Sequence, residues 1–193
     1  MSKKIFLGLF LSVIFCFTSF ATPYITLNTW STADYQEHCS LQGINQTTGE
    51  VIWNTYLGSA VGTEVNAGDY LGINNGFAYV TFDGSVYMID PETGNILLVN
   101  SDFQGRGPAW TFSSSGKLYM CGWYGPDLFI MGSDGQTISR VETLTNDQYF
   151  RPYSMYFTNG NNLAITYEGG RVVDGATLQF DVTKYFGIVE RRY

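Results

Sequence analysis

Apolar residues along this chain come in short runs cut by glycine-bearing turns, and the pattern is clearest from Gly76 to Val99. There Phe77 to Phe82, Val86 to Ile89 and Ile96 to Val99 are separated by Asp83-Gly84 and by Pro91-Glu92-Thr93-Gly94. Runs rich in Val, Tyr, Phe and Ile, bounded by turns of this kind, predict three strands joined by tight hairpins. The same punctuation returns at Thr48-Gly49, Thr93-Gly94, Asp134-Gly135 and Asp174-Gly175, so the glycines step by 45, 41 and 40 residues. A period of that size predicts propeller blades, because one four-stranded unit cannot bury both of its faces and must stack on its neighbours. The expected fold class is therefore all-β, a β-propeller of about four four-stranded blades arranged as a closed ring or a partial fan.

The units fall at about 22–57, 69–99, 106–142 and 150–183. Unit one shows three strands, Tyr24 to Trp30, Cys39 to Asn45 and Glu50 to Leu57, and is one short. Unit two adds Asp69 to Asn74 ahead of the Gly76 to Val99 meander. Unit three has Ala109 to Ser113, Lys117 to Trp123, Asp127 to Gly132 and Thr137 to Glu142. Unit four offers Tyr153 to Phe157, Leu163 to Glu168, Arg171 to Asp174 and Thr177 to Val182. An apolar segment at 185–190 then brings the count to sixteen, four per unit, and is the expected closing strand that completes the first blade. Closure would hide the two edges that a fan exposes. A fan that pairs with a second copy is the alternative.

At the N-terminus, Lys3 and Lys4 precede an apolar run from Ile5 to Phe20, with Ser19 and Ala21 at the small-residue positions before a cut after Ala21. This is the pattern of a secretory signal peptide over 1–21, leaving one domain over 22–193 that is secreted or periplasmic and has no integral membrane span. Losing the two lysines takes the net charge from −7 to −9. No Lys or Arg occurs from Ile5 to Gln104, whereas nine carboxylates do, so the first half is purely acidic. Such a field repels nucleic acid and anionic lipid and favours cations or a basic partner surface. Composition agrees with many short strands and tight turns: 17% aromatic, 22 glycines and only 14% charged.

The turn residues carry a resemblance. Gly43-Ile44-Asn45-Gln46-Thr47-Thr48-Gly49-Glu50-Val51-Ile52-Trp53 is similar to the pyrroloquinoline-quinone-type propeller repeat, in which an Asp, two variable residues, Thr-Gly and then a Trp recur in each blade. Ile89 to Gly94 matches the same motif with Leu98 in the Trp place. Unit three keeps Asp134-Gly135 with Ser139 in the Trp place, and unit four keeps Asp174-Gly175. Each motif residue has a structural role: Asp or Asn accepts backbone amides in the turn, Gly takes positive φ, and Trp buries a plate between blades. The resemblance implies either a quinone-dependent dehydrogenase or a cofactor-free envelope protein. The dehydrogenases carry an adjacent Cys-Cys pair and calcium ligands. Cys39 and Cys121 are far apart, so no cofactor and no metal are expected.

Other chemistry is sparse. His38 is the one histidine, which excludes a His-rich metal site and reads as a solvated or hydrogen-bonding residue rather than a base. Cys39 and Cys121 fall on middle strands of opposite blades, too far apart for a disulfide, and are expected as free, buried thiols. Asp69, Asp83, Asp90 and Glu92 lack calcium-loop spacing and read as turn residues. Arg106-Gly107-Pro108-Ala109-Trp110 is echoed by Arg151-Pro152-Tyr153-Ser154, each at the start of a unit's first strand. First strands line a propeller's axis, so Arg106, Trp110, Arg151 and Tyr153 are the candidate binding residues, with no catalytic residue expected. The expected function is a non-enzymatic, exported protein-interaction scaffold whose partner is another envelope or secreted protein or a second copy. The alternatives are a small-ligand or glycan-binding propeller and, last, a fragment of a quinone-dependent dehydrogenase.

Overall fold

The computed structural model describes residues 22–61, 68–123, 125–142, 144, 151–158, 162–168 and 176–181. Their strands form four open antiparallel sheets, none closed on itself, in a propeller-like stack. Sheet 1 is β1 (Tyr24–Ser31), β2 (Gln36–Ile44) and β3 (Val51–Val61). Sheet 2 is β4 (Asp69–Asn74), β5 (Phe77–Phe82), β6 (Ser85–Ile89) and β7 (Ile96–Asn100). Sheet 3 is β8 (Arg106–Phe112), β9 (Leu118–Trp123), β10 (Leu128–Met131) and β11 (Thr137–Val141). Sheet 4 is β12 (Arg151–Phe157), β13 (Asn162–Glu168) and β14 (Ala176–Asp181). Neighbouring sheets touch in chain order, with β4 against both β1 and β8, and β8 against β12.

The turns form where the sequence puts them. Asn75-Gly76 and Asp83-Gly84 both have positive φ at their two residues, 50° and 82° in the first and 46° and 73° in the second, the geometry a two-residue hairpin needs. In the longer turn of sheet 1, Asn45 Oδ1 accepts from the amides of Thr47 and Thr48 at 2.8 and 3.1 Å. Its counterpart Asp90 Oδ1 accepts from the Glu92 amide at 2.9 Å. The sheet 3 turn is tighter: Asp134 Oδ1 accepts from the Gln136 amide at 3.1 Å, and the Gly135 amide donates to Gly132 O at 3.0 Å.

Three apolar clusters fill the spaces between sheets. Ile25, Cys39, Leu41 and Leu57 of sheet 1 meet Ala78, Val80, Phe82 and Ile89 of sheet 2. Leu71, Tyr79, Val86 and Met88 of sheet 2 meet Leu118, Met120, Phe129 and Met131 of sheet 3. Ala109, Tyr119, Cys121, Leu128 and Ile130 of sheet 3 meet Met155, Leu163 and Ile165 of sheet 4. Burial of this apolar area, rather than any covalent link, holds the sheets together. Cys39 and Cys121 are free and buried in the first and third clusters, as the sequence predicts.

A repeated contact sets the phase of the units. Trp53 of β3 packs against Gly94 in the β6–β7 turn of the next sheet, where a Cβ would collide with the indole. Its Nε1 donates to Pro91 O at 3.0 Å, and Thr55 Oγ1 donates to Gly94 O at 2.5 Å. One repeat later Leu98 stands against Gly135, and Asn100 Nδ2 donates to Gly135 O at 2.9 Å. Trp53 and Leu98 are therefore equivalent, and so are Thr55 and Asn100. It follows that β3 matches β7 and β11, that β2 matches β6 and β10, and that β1 matches β5 and β9. Among the described residues, sheet 1 lacks the innermost, first strand of the unit, and sheet 4 lacks the fourth.

One strand assignment needs correction. β13 and β14 are hydrogen-bonded neighbours, with Tyr167 opposite Ala176, so no strand sits between them. The segment expected fourth in its unit, 177–182, thus fills the third place, directly beside β13. The expected strand at 171–174, Gly175 of the last motif, the closing strand at 185–190 and the signal segment 1–21 lie outside the described residues.

Candidate functional site

The two arginines singled out by sequence come together around a residue that the sequence reading missed. Arg106 opens β8, and its direct partner across the ladder is Trp123 at the end of β9. Directly opposed residues share a sheet face. Arg151 opens β12 in the next sheet, and its guanidinium carbon lies 5.2 Å from the centre of the Trp123 ring. An arginine at that distance is held by the electron-rich ring face while its donors stay available to a second group. Trp123 is 40% exposed and Arg151 is exposed, so the pair stands at the surface.

Trp110 belongs elsewhere. It pairs with Met120, makes an edge contact with Phe112 at 5.7 Å and packs into the cluster between sheets 2 and 3. The β8–β9 register shifts between Arg106 and Ala109, which breaks the simple alternation linking positions 106 and 110. Tyr153 is 56% exposed and sits at a second irregularity, between Pro152 and Ser154 of β12. Of the four candidate residues, the structure puts Arg106 and Arg151 beside Trp123 and packs the half-buried Trp110 against the cluster between sheets 2 and 3. Counting hairpin register from the sequence would not have found Trp123, because the irregularity between Arg106 and Ala109 moves the partner of Arg106 by one residue.

His38 shares a hydrogen bond with the Tyr56 hydroxyl, Nδ1 to Oη 2.8 Å, which accords with a hydrogen-bonding role. Burial pushes the Cys39 thiol up to about 11, and it pushes the Cys121 thiol well above the usual range with help from the Asp127 charge. Neither is a nucleophile near neutral pH. Among the described residues, no three or more His, Cys, Asp or Glu side chains gather as metal ligands. The cysteines lie in different sheets, so these residues do not fit a quinone and calcium centre.

No known family profile and no curated protein sequence matches the chain. Among solved structures, the chain is similar to BamB from Moraxella catarrhalis over 70% of its own length and 38% of that protein's, at 21% identity and a TM-score of 0.46. It is also similar to the WD40 β-propeller domain of Doa1, over 75% of this chain and 47% of that one, at 10% identity and a TM-score of 0.43. A protein of unknown function from Bacteroides caccae matches over 83% and 74% of the two chains, at 11% identity and a TM-score of 0.35. The chain thus spans well under half of the BamB structure it matches.

Proposed function

We propose that this protein is an exported, non-enzymatic propeller-type scaffold, released by cleavage after Ala21 as a single domain, that docks another exported protein along its outermost strands. One observation carries the reading. β3 and β7, the outermost strands of sheets 1 and 2, expose a run of large apolar side chains: Val51, Ile52, Tyr56 and Val61 on the first, Ile96, Leu97 and Val99 on the second. An apolar outer strand is a template for adding a partner's strand, a hazard that proteins ordinarily blunt with charge. The test places a photo-crosslinking residue at Leu97 and at Gln42 in cell-envelope preparations, alongside a Leu97→Lys/Val99→Lys double variant. A specific adduct from position 97 that the double variant loses is expected. Unchanged adducts in the double variant would overturn the reading, and an adduct of twice the chain mass would make the partner a second copy.

A second reading rests on Arg151 over Trp123. The Arg151 guanidinium over the Trp123 indole, with Arg106 as the ladder partner of that Trp, suits a small carboxylate-bearing ligand. Arg106→Ala/Arg151→Ala is the variant that removes it, read as loss of Trp123 fluorescence quenching by a dicarboxylate.

A further inference from the structure

In each sheet after the first, the face turned toward the preceding sheet is apolar. Sheet 2 presents Ala78, Val80, Phe82 and Ile89, sheet 3 presents Leu118, Met120, Phe129 and Met131, and sheet 4 presents Met155, Leu163 and Ile165. The corresponding face of sheet 1 is the one turned away from Leu41 and Ile25. Register assigns it three central rungs, Thr26, Gln42 and Asn54; Asn28, Ser40 and Tyr56; Trp30, His38 and Ser59, with Tyr24, Ile44 and Val51 beyond them at one end and Gln36 and Val61 at the other. The nine residues of the central rungs are all polar or aromatic, and the aliphatic Ile44, Val51 and Val61 are confined to the two ends.

The aromatic members are organised. Trp30 and His38 stack with centroids 5.2 Å apart and planes 10° from parallel. Tyr56 leans on both, at 6.2 Å from Trp30 and 6.0 Å from His38, tied by the hydrogen bond to His38. The central rungs thus hold three rings without an aliphatic residue among them, and Trp30 and Tyr56 remain 41% and 51% exposed. Ser40, in the rung between Asn28 and Tyr56, is 1% exposed, and its hydroxyl has no hydrogen-bond partner among the described residues.

We infer that this face is a carbohydrate-binding surface: the Trp30–His38–Tyr56 platform takes the apolar C–H face of a neutral sugar ring while Asn28, Gln42 and Asn54 bind its hydroxyls. A pyranose has the two chemistries the face offers, an apolar flank for an aromatic ring and a rim of hydroxyls for side-chain amides. A protein sheet packed here would strand those amides, each costing about 1–3 kcal/mol if left unpaired. Charge selects among sugars. No Lys or Arg occurs from Ile5 to Gln104, and Asp34 in the β1–β2 hairpin is held below the usual carboxylate range, chiefly by the Thr32 hydroxyl. Uronic or sulfated glycans would meet repulsion and no counter-charge.

The experiment is tryptophan fluorescence and calorimetric titration of the signal-free protein with four neutral hexasaccharides: cello-, malto-, xylo- and manno-hexaose. Saturable binding to at least one is expected, weakened about tenfold or more by Trp30→Ala, which corresponds to about 1.4 kcal/mol, and largely kept by Trp30→Phe. Asn28→Ala/Asn54→Ala, which leaves the rings in place, gives an independent loss should Trp30→Ala fold poorly. Arg106→Ala/Arg151→Ala should bind the sugar as the parent does, which separates this site from the arginine pair. The inference is overturned if none of the four binds at millimolar concentration. It is equally overturned if binding survives both face variants, or if Trp30→Ala abolishes a concentration-dependent dimer instead.

Discussion

The face that sheet 3 turns to sheet 2 and the face that sheet 1 turns outward are built on the same strand positions and have opposite chemistry. On the inner three strands of sheet 3 the positions Trp110, Met120, Phe129 and Phe112, Leu118, Met131 are apolar, with Arg140 and Thr137 ending these rungs on β11, and Phe129 lies 5.6 Å from the Phe103 ring. On sheet 1 the three central rungs are amides, hydroxyls and three clustered rings, and aliphatic residues, Ile44, Val51 and Val61, stand only at the ends of the face. The difference teaches that the repeat fixes backbone and turn, while the identity of residues at alternating positions decides whether a face is buried by another sheet. An apolar face must stack to stay out of water; a polar one ends the stack, as terminal repeats do in solenoid proteins. The chemistry of sheet 1 is that of a cap.

The largest expected effect tests the buried member of this comparison. Phe129→Ala removes a fully buried ring between two sheets and should cost about 3–5 kcal/mol in a urea melt. Gln42→Ala on the outward face should change stability by no more than about 0.5 kcal/mol. Comparable losses from both would mean that the sheet 1 face is covered in the folded protein, and the cap would be wrong.

The inter-sheet contacts sharpen the comparison one step down. Trp53 closes the sheet 1–2 interface with an indole plate and a hydrogen bond to Pro91, whereas Leu98 closes the sheet 2–3 interface without the indole. In sheet 3 the position falls to Ser139, buried with no partner for its hydroxyl among the described residues. Trp53→Ala should therefore cost about 3 kcal/mol, from lost packing and the stranded carbonyl. Trp53→Phe should cost about 1 kcal/mol, mostly the hydrogen bond. A Trp53→Ala melting curve indistinguishable from the parent's would show that the apolar cluster alone holds sheets 1 and 2 together.

Much of this was legible in the sequence, for reasons visible at particular residues. Asp83-Gly84 and Asn75-Gly76 announce their hairpins because few other pairs tolerate two positive φ values in succession. Asn45, Asp90 and Trp53 announce the repeat because their roles are local or reach one glycine away. The shortfall in unit one was visible, but which strand was missing depends on matching Trp53 with Leu98 through their glycines, a contact across sheets. The placing of 177–182 as a fourth strand failed because strand propensity suits a segment to a sheet without saying which strand it pairs with, here β14 with β13. Trp123 escaped because register, displaced by the irregularity between Arg106 and Ala109, determines which aromatic meets an arginine. The polar face of sheet 1 was written plainly in Asn28, His38, Ser40 and Gln42, yet carries meaning only once the other three faces are seen to be apolar.

The smallest effect concerns the side of sheet 1 that does stack. Cys39 faces sheet 2 in the buried cluster, and burial raises its thiol from 9.0 to about 11. The folded protein therefore holds this thiol neutral over a range in which the unfolded chain already ionises it. Stability from the neutral thiol is intact below pH 9 and drains away as pH rises from 9 to 11, by at most about 2–3 kcal/mol. Cys39→Ala removes the titrating group and should flatten that part of the profile, although its cavity lowers stability at every pH. Tyr119, raised by burial from 10.0 to about 12, supplies a further alkaline decline that Cys39→Ala leaves in place. Urea melts of both proteins at half-unit steps from pH 8 to 11 measure the difference. Parallel curves would mean that water reaches Cys39 and that the sheet 1–2 interface is as wet as the outward face, which would erase the contrast between the two sides of the sheet.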